Sequence, residues 1–171
     1  MLELRPLVGS DIANTAAAFS ALGWNKPASQ YERYLGEAAR RLRTTIVALL
    51  ENEFTGYVTI KRESAYQPFR DDSIPEIQDL NVLPKFRRIR IGSRLMDEAE
   101  KLIGAHSPIA GLSVAFDPGY RVAQRLYVLR GYVPDARGGT WRGVPVTWGD
   151  KVTVDDDLAV HMTKNLHVAA Y

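Results

Sequence analysis

A basic segment in the middle of the chain carries residue types suited to binding an anion. Five cationic side chains lie in or beside residues 84–92, at Lys85, Arg87, Arg88, Arg90 and Arg94. A helix is predicted to begin there, because apolar residues recur at the spacing of one helix face, at Ile91, Leu95, Ala99, Leu102 and Ile103. First-turn amides of a helix lack intrahelical acceptors and carry partial positive charge. We therefore expect a phosphate site with a phosphorylated ligand.

The two commonest phosphate-binding patterns are absent from the sequence. There is no G-x-x-x-x-G-K-[ST] segment, which argues against a P-loop NTPase. No G-x-G-x-x-G opens a strand-helix-strand unit, which argues against a dinucleotide fold. A nucleic-acid patch is a further alternative for the basic segment, but aromatic residues are sparse in it, so we expect no nucleic-acid partner.

The elements around this segment follow from hydrophobic periodicity. Strands are predicted over residues 2–6, 44–50, 57–61, 76–82, 109–116 and 158–163. Helices are predicted from Ser10 or Asp11 to Gly23, after a capping box at Ser29 and Glu32, after Gly92, and over residues 121–130. Residues 64–75 are expected to form an exposed loop, and the chain after Tyr132 to be rich in turns.

Composition limits the class of protein. With 171 residues, of which 46% are hydrophobic and 25% charged, we expect one domain spanning residues 1–171. The formal charge is only +2, there is no cysteine, and the three histidines lack metal-ligand spacing, so we expect neither disulfides nor a metal. The first residues lack a signal-peptide core and no apolar run approaches about 20 residues, so we expect a cytoplasmic protein without a membrane partner.

Two local motifs resemble those of the GNAT N-acetyltransferase superfamily. Residues 87–92, after Val82 and Pro84, resemble its pyrophosphate-binding [QR]-x-x-G-x-[GA] motif. Residues 123–132 resemble its A-x-x-L-Y-x-x-x-G-[FY] signature, with Tyr120 replacing a frequent asparagine. Arg90 stands where the first motif glycine would be. It supplies the same backbone N–H if its φ is negative, whereas a tight glycine-dependent turn would be strained.

The resemblance implies a fold and a ligand. The fold is α/β (α+β), with a mixed, mostly antiparallel central sheet flanked by helices in the order β-αα-β-β-β-α-β-α-β-β. The ligand is acetyl-CoA as co-substrate of a transferase of the acyltransferase class, an N-acetyltransferase. Its pyrophosphate and pantetheine arm are assigned by the resemblance to Leu80, Val82, Arg87, Arg88, Arg90, Ile91, Gly92 and Ser93.

The resemblance also assigns the proton-transfer residues. Glu76 precedes Arg87 by the spacing of the catalytic glutamate in the histone-acetyltransferase branch, which favours it as general base, with Asp79 in reserve on the opposite strand face. Tyr127 resembles the family tyrosine that protonates the CoA thiolate. The structural alternatives are a solvated Glu76 at the start of an exposed strand and a Tyr127 that only packs inside its helix.

Several functional questions stay open at this level. The acceptor amine is unidentified, and both small amines and protein amines fit. A non-catalytic acyl-CoA-binding sensor on the same fold is the alternative to an enzyme. Exposed final strands in the family often pair between subunits, so a homodimer is one oligomeric state to test.

Overall fold

The predicted class of fold is confirmed by a computed structural model, which describes residues 1–167. It is a mixed α/β structure with mostly antiparallel strands that are accompanied by helices. The elements are β1 Leu2–Pro6, α1 Ile12–Ser20, α2 Ala28–Ala39, β2 Arg43–Leu50, β3 Glu53–Lys61, α3 Gln67–Asp71, β4 Glu76–Val82, α4 Ile91–Gly104, β5 Ile109–Ala115, α5 Arg121–Leu129, β6 Val133–Trp141, β7 Val144–Pro145 and β8 Leu158–Asn165.

One compact unit comprises residues 1–62 and 77–102, with strands in the hydrogen-bonded order β1-β2-β3-β4. A two-residue turn joins β2 to β3, because Leu50 pairs with Glu53 and only Glu51 and Asn52 lie between them. Both turn residues have positive φ, 51° and 67°. Two left-handed residues in succession give the backbone twist that a tight hairpin requires, and asparagine tolerates that conformation well.

The core of this unit is aromatic. Phe19 of α1, Tyr31 of α2 and Tyr57 of β3 are each fully buried, and their rings meet edge to face. Trp24, in the segment between α1 and α2, stacks on Phe19 with ring centroids 5.6 Å apart. Large rings at these positions fix how the two helices lie on the strands of the unit.

The start of α2 differs from the prediction. The helix begins at Ala28 after Pro27, so Ser29 and Glu32 lie inside it and the predicted capping box is wrong. The φ of Pro27 is −71°, and its ring fixes a backbone angle that suits a helix entry, so the helix starts before the serine.

A second compact unit comprises residues 63–76 together with the described chain from 103 onward, with strands in the order β5-β8-β6-β7. Residues 64–75 do not form an exposed loop as predicted. They contain α3, and Tyr66, Phe69 and Ile74 are buried. Gly111 of β5 makes this packing possible, because a Cβ there would lie 2.5 Å from the Phe69 ring.

The chain after Tyr132, predicted to be rich in turns, is so over residues 142–157, where only the two-residue β7 is a strand, but residues 133–141 form a strand whose bounds the sequence did not indicate. This strand is β6, whose pairing with β8 is interrupted between Pro134 and Gly139. Gly138 has φ 77° within that interruption, so glycine here marks an irregularity inside a strand. Among residues 1–167, no helix combines the length and apolarity needed to cross a bilayer.

Candidate active site

The basic segment joins β4 to α4 as a compact turn. Residues Pro84–Phe86 form one 3-10 turn after Val82 ends β4, and α4 begins at Ile91. Ile91 and Leu95 are buried and anchor the first helical turns, whereas Arg88 and Arg90 are exposed. The amides of the first turn of α4 are therefore presented beside exposed guanidinium groups, which is an arrangement suited to an anion.

Two arginines of this segment adopt left-handed backbone conformations. The φ of Arg88 is 65° and that of Arg90 is 67°. The negative φ under which Arg90 would serve without strain is therefore not adopted. A left-handed L-residue costs about 1–2 kcal/mol, so the turn keeps a conformation that favours glycine although arginine occupies it.

Arg87 differs from Arg88 and Arg90 because its side chain contacts other parts of the protein. Its Nε donates to the carbonyl of Val82 at 3.0 Å, and its guanidinium lies 5.8 Å from the centre of the Trp24 ring.

Gly92 is the second residue of α4. A Cβ built at Gly92 would meet only Val82 Cγ2 at the ordinary distance of 3.7 Å, so internal packing does not demand a glycine.

The end of β4 is fixed by a close approach to β3. A Cβ at Gly56 would lie 2.3 Å from the carbonyl oxygen of Asn81 and 3.0 Å from Val82 Cα. Leu83 N–H donates to the carbonyl of Thr55 at 2.8 Å just beyond. Gly56 was not identified from the sequence, although a glycine inside a strand is a recognised signal of close backbone approach.

Asp79 interrupts β4 with a φ of 54°. Gln78 Oε1 accepts from Arg43, which also donates to Thr59, and Asp79 accepts from Tyr57. Tyr57 and Thr59 share one face of β3, because they are two residues apart. Gln78 and Asp79 therefore reach the same face, so β4 does not alternate here, and the alternation that predicted Asp79 on the face opposite to Glu76 is wrong. An aspartate inside a strand is the sequence signal for this irregularity.

The carboxylate of Asp79 is surrounded by donors. Oδ1 accepts from Lys26 Nζ at 2.6 Å and from Asn81 Nδ2 at 2.8 Å. Oδ2 accepts from Tyr34 hydroxyl at 2.9 Å, from Gln30 Nε2 at 3.0 Å and from the Tyr57 hydroxyl. All of these residues belong to the first unit.

This environment keeps Asp79 ionised. Burial acts to raise its pKa, but the Lys26 ammonium and the hydrogen bonds from Lys26, Tyr57 and Tyr34 outweigh burial and lower the pKa below its ordinary value. A carboxylate with a lowered pKa and saturated oxygens is a weak proton acceptor. Asp79 is therefore unsuited to the role of reserve base.

Glu76, the first residue of β4, lies in the second unit and is 5% exposed. Its Oε2 accepts from Ser64 Oγ at 2.5 Å, and Ser64 Oγ in turn accepts from Tyr66 N–H at 3.0 Å. Glu76 is thus a buried, oriented carboxylate, and the alternative of a solvated residue on an exposed strand is wrong. Ser64, which orients it, was missed because it precedes Glu76 by twelve residues in a region predicted to be a loop.

Tyr127 lies on α5 in the second unit and is 8% exposed. Its ring meets that of Tyr132 at an angle of 62°, with centroids 6.1 Å apart. Burial raises the pKa of the Tyr127 hydroxyl to about 12. The phenol therefore stays protonated at neutral pH and retains a proton to donate.

A buried histidine of the second unit packs on the aromatic residues of the segment around α3. His161 of β8 stacks on Tyr66 with centroids 3.5 Å apart, and the Tyr66 hydroxyl donates to Asp135 at 2.8 Å. Burial lowers the pKa of His161, which favours the neutral ring. Within residues 1–167, no three His, Cys, Asp or Glu side chains are grouped so that they could hold a metal ion.

Solved structures of similar fold were found among bacterial and archaeal proteins. An N-acetyltransferase from Staphylococcus aureus Mu50 is 11% identical, with a TM-score of 0.71 over 97% of this chain and 99% of that one. Ard1 from Thermoplasma volcanium is 19% identical, with a TM-score of 0.70 over 96% and 97%. PaiA N-acetyltransferase from Thermoplasma acidophilum, solved with coenzyme A, is 16% identical, with a TM-score of 0.65 over 96% and 99%.

Sequence comparison gives the family. No curated protein matches the chain. The family model described as acetyltransferase (GNAT) family matches residues 12–132, well over half of the sequence. That range contains Glu76, the basic turn before α4 and Tyr127, so it includes the features described above. The chain therefore belongs to the GNAT family of acetyltransferases.

Proposed function

We propose that this protein is an N-acetyltransferase that binds acetyl-CoA and transfers its acetyl group directly to a primary amine. The observation that carries the proposal is the turn before α4. It presents the amides of Ile91, Gly92 and Ser93 at a helix N-terminus beside the exposed side chains of Arg88 and Arg90.

A pyrophosphate fits the residues of this turn. Its negative charge is complemented by the helix N-terminus and by guanidinium groups, which bind phosphate oxygens through paired N–H donors. Arg87 adds positive charge beside the turn while its Nε donates to the Val82 carbonyl. Gly92 leaves space for a phosphate to approach the backbone closely, and this gives a reason for a glycine that packing does not require.

The pantetheine arm is assigned to the end of β4. Leu80 and Val82 are half-buried, and we assign their main-chain groups to strand-like hydrogen bonds with the amides of the arm. Gly56 holds this end of the strand against β3, so the spacing of those main-chain groups is fixed before any ligand contacts them.

The chemistry requires two proton transfers. Acetyl-CoA supplies an activated thioester carbonyl. The acceptor ammonium first gives a proton to a base, and the neutral amine then forms an N–C bond as the C–S bond breaks. The nitrogen releases a further proton, which balances the proton taken up by the thiolate. We assign that base to Glu76, acting through water, because its carboxylate is buried and oriented by Ser64.

We assign Tyr127 as the donor of the proton that the thiolate takes up. A thiolate leaving group must take up a proton, and the Tyr127 hydroxyl, whose pKa burial raises to about 12, carries its proton at neutral pH. No serine, cysteine or histidine nucleophile is needed for this route, so transfer is direct.

The first test is a calorimetric titration of acetyl-CoA into the protein, with ATP and NAD as controls. We expect selective binding in the micromolar range, about −8 kcal/mol. Equal binding of the three ligands, or no binding, would contradict the assignment of the turn.

A second test separates the enzyme from the non-catalytic sensor. Tyr127→Phe removes the hydroxyl and keeps the ring. An enzyme loses turnover by about 100-fold or more while its acetyl-CoA affinity is unchanged. A protein that binds acetyl-CoA with no turnover against a panel of primary amines, before and after the substitution, would favour the sensor.

A further inference from the structure

An ammonium group occupies a site in the first unit that is built from one carboxylate and two aromatic rings. Lys26 Nζ lies 2.6 Å from Asp79 Oδ1. It lies 5.9 Å from the centre of the Phe19 ring and 5.7 Å from that of Tyr57. A carboxylate combined with ring faces within about 6 Å is an environment that recognises ammonium ions.

The two oxygens of the carboxylate have different partners. Oδ2 is held by side chains of α2 and β3, from Tyr34, Gln30 and Tyr57. Oδ1 receives Asn81 from the same strand and the Lys26 ammonium. If the ammonium of Lys26 leaves, the hydrogen bonds to Oδ2 and the one from Asn81 still orient the carboxylate. The site can therefore exchange one ammonium for another without being rebuilt.

Lys26 differs from Tyr57 and Asp79 in its place in the fold. It belongs to the connection between α1 and α2, outside any helix or strand, whereas Tyr57 and Asp79 lie on paired strands. Asp79 directly precedes Leu80, whose main chain we assign to the pantetheine arm. Asp79 is thus adjacent in sequence to a residue of the proposed acetyl-CoA site.

We propose that Asp79 binds the ammonium of a primary diamine acceptor, and that Lys26 is an intramolecular substitute which the acceptor displaces. This inference rests on the proposed function, because it names the acceptor class of the same site. One amine of the acceptor is held as an ammonium by Asp79, and the other loses its proton and receives the acetyl group.

The test uses a ligand titration that needs no acetyl-CoA. 1,4-Diaminobutane is titrated into the wild type, Lys26→Met and Lys101→Met. The last variant removes one exposed lysine charge on α4 and serves as the matched control. An internal competitor reduces the apparent affinity in proportion to the fraction of time that the site is empty. Lys26→Met should therefore bind 1,4-diaminobutane about tenfold more tightly than the wild type and Lys101→Met.

A double variant identifies the binding group. Lys26→Met with Asp79→Asn leaves no unpaired charge, and its folding is checked by circular dichroism. The double variant should lose the affinity for 1,4-diaminobutane that Lys26→Met gained. 1-Butanol, which carries no charge, should not bind Lys26→Met. Equal affinities of Lys26→Met and Lys101→Met, diamine binding retained in the double variant, or equal binding of 1-butanol would each overturn the proposal.

A transfer assay with acetyl-CoA provides the second measurement. n-Butylamine has a single amine, so it should occupy Asp79 as a competitive inhibitor and be a poor acceptor beside 1,4-diaminobutane. Equal acetylation of the two would overturn the diamine assignment. Failure of acetyl-CoA to bind would instead overturn the proposed function, and the titration without acetyl-CoA distinguishes these outcomes.

Discussion

Replacing Gly56 by alanine should lower stability, because the added methyl group meets backbone. Its Cβ would lie 2.3 Å from the Asn81 carbonyl oxygen and 3.0 Å from Val82 Cα. No side-chain rotation can relieve a contact with two backbone atoms, so β3 and β4 must move apart. Overpacking of this kind costs about 1–3 kcal/mol. At about 2–4 °C per kcal/mol for a chain of this size, Tm should fall by about 2–12 °C.

Gly36→Ala is the matched control, since it adds the same methyl group where nothing lies within 4 Å. Gly36 is inside α2, where alanine is favoured over glycine by about 0.5–1 kcal/mol. The two substitutions should therefore change the free energy of unfolding in opposite directions. Urea unfolding followed by circular dichroism measures both.

Gly56→Ala has a second readout. Moving Asn81 and Val82 displaces the main-chain groups that we assign to pantetheine, so acetyl-CoA affinity should fall in Gly56→Ala and be unchanged in Gly36→Ala. A Gly56→Ala protein as stable as the wild type would refute the close approach of β3 and β4. A destabilised variant with unchanged acetyl-CoA affinity would refute only the role of this strand end.

Three further outcomes are expected. Arg90→Gly should be more stable than Arg90→Ala by about 1–2 kcal/mol in urea unfolding, because only glycine relieves the φ of 67°; equal stabilities would contradict the strain. The lowered pKa of Asp79 means that its charge stabilises the fold above the unfolded pKa of about 3.9, and that this stability is lost as pH falls through the folded value. The free energy of unfolding should therefore fall less steeply with decreasing pH when Asp79 and Lys26 are replaced by Asn and Met. An unchanged slope would contradict the contribution of this ion pair to stability. Glu76→Gln should lower kcat by about 100-fold or more without changing acetyl-CoA affinity, measured by thiol release; unchanged kcat would exclude Glu76 as base.

The elements whose pattern is local were predictable from the sequence. The β-branched run at 44–50 and the apolar face of α4 gave elements close to those observed. Residues 64–75 were misjudged because two prolines and two aspartates suggested a loop, whereas the burial of Phe69 depends on a glycine in β5. The bounds of strand β6 could not be predicted from its glycine-rich sequence, because pairing with β8 stabilises it.

The candidate site was likewise predictable only where its residues are close together in the sequence. The helix start near Ile91 and Gly92 follows from a contiguous motif. The cluster around Asp79 could not be predicted, because Lys26, Gln30 and Tyr57 come from sequence-distant elements and no local spacing connects them. For Arg90 the sequence left two backbone conformations open, and the residue adopts the left-handed one.

The stacking of Trp24 on Phe19 provides an optical probe of one half of the chain. The sequence has three tryptophans, and the other two, Trp141 and Trp148, belong to the second unit. A protein with Trp141→Phe and Trp148→Phe would emit indole fluorescence from the first unit alone. Comparing its melting curve with circular dichroism of the same protein measures whether the two units unfold in a single cooperative transition, which is the condition under which one free energy of unfolding describes the chain.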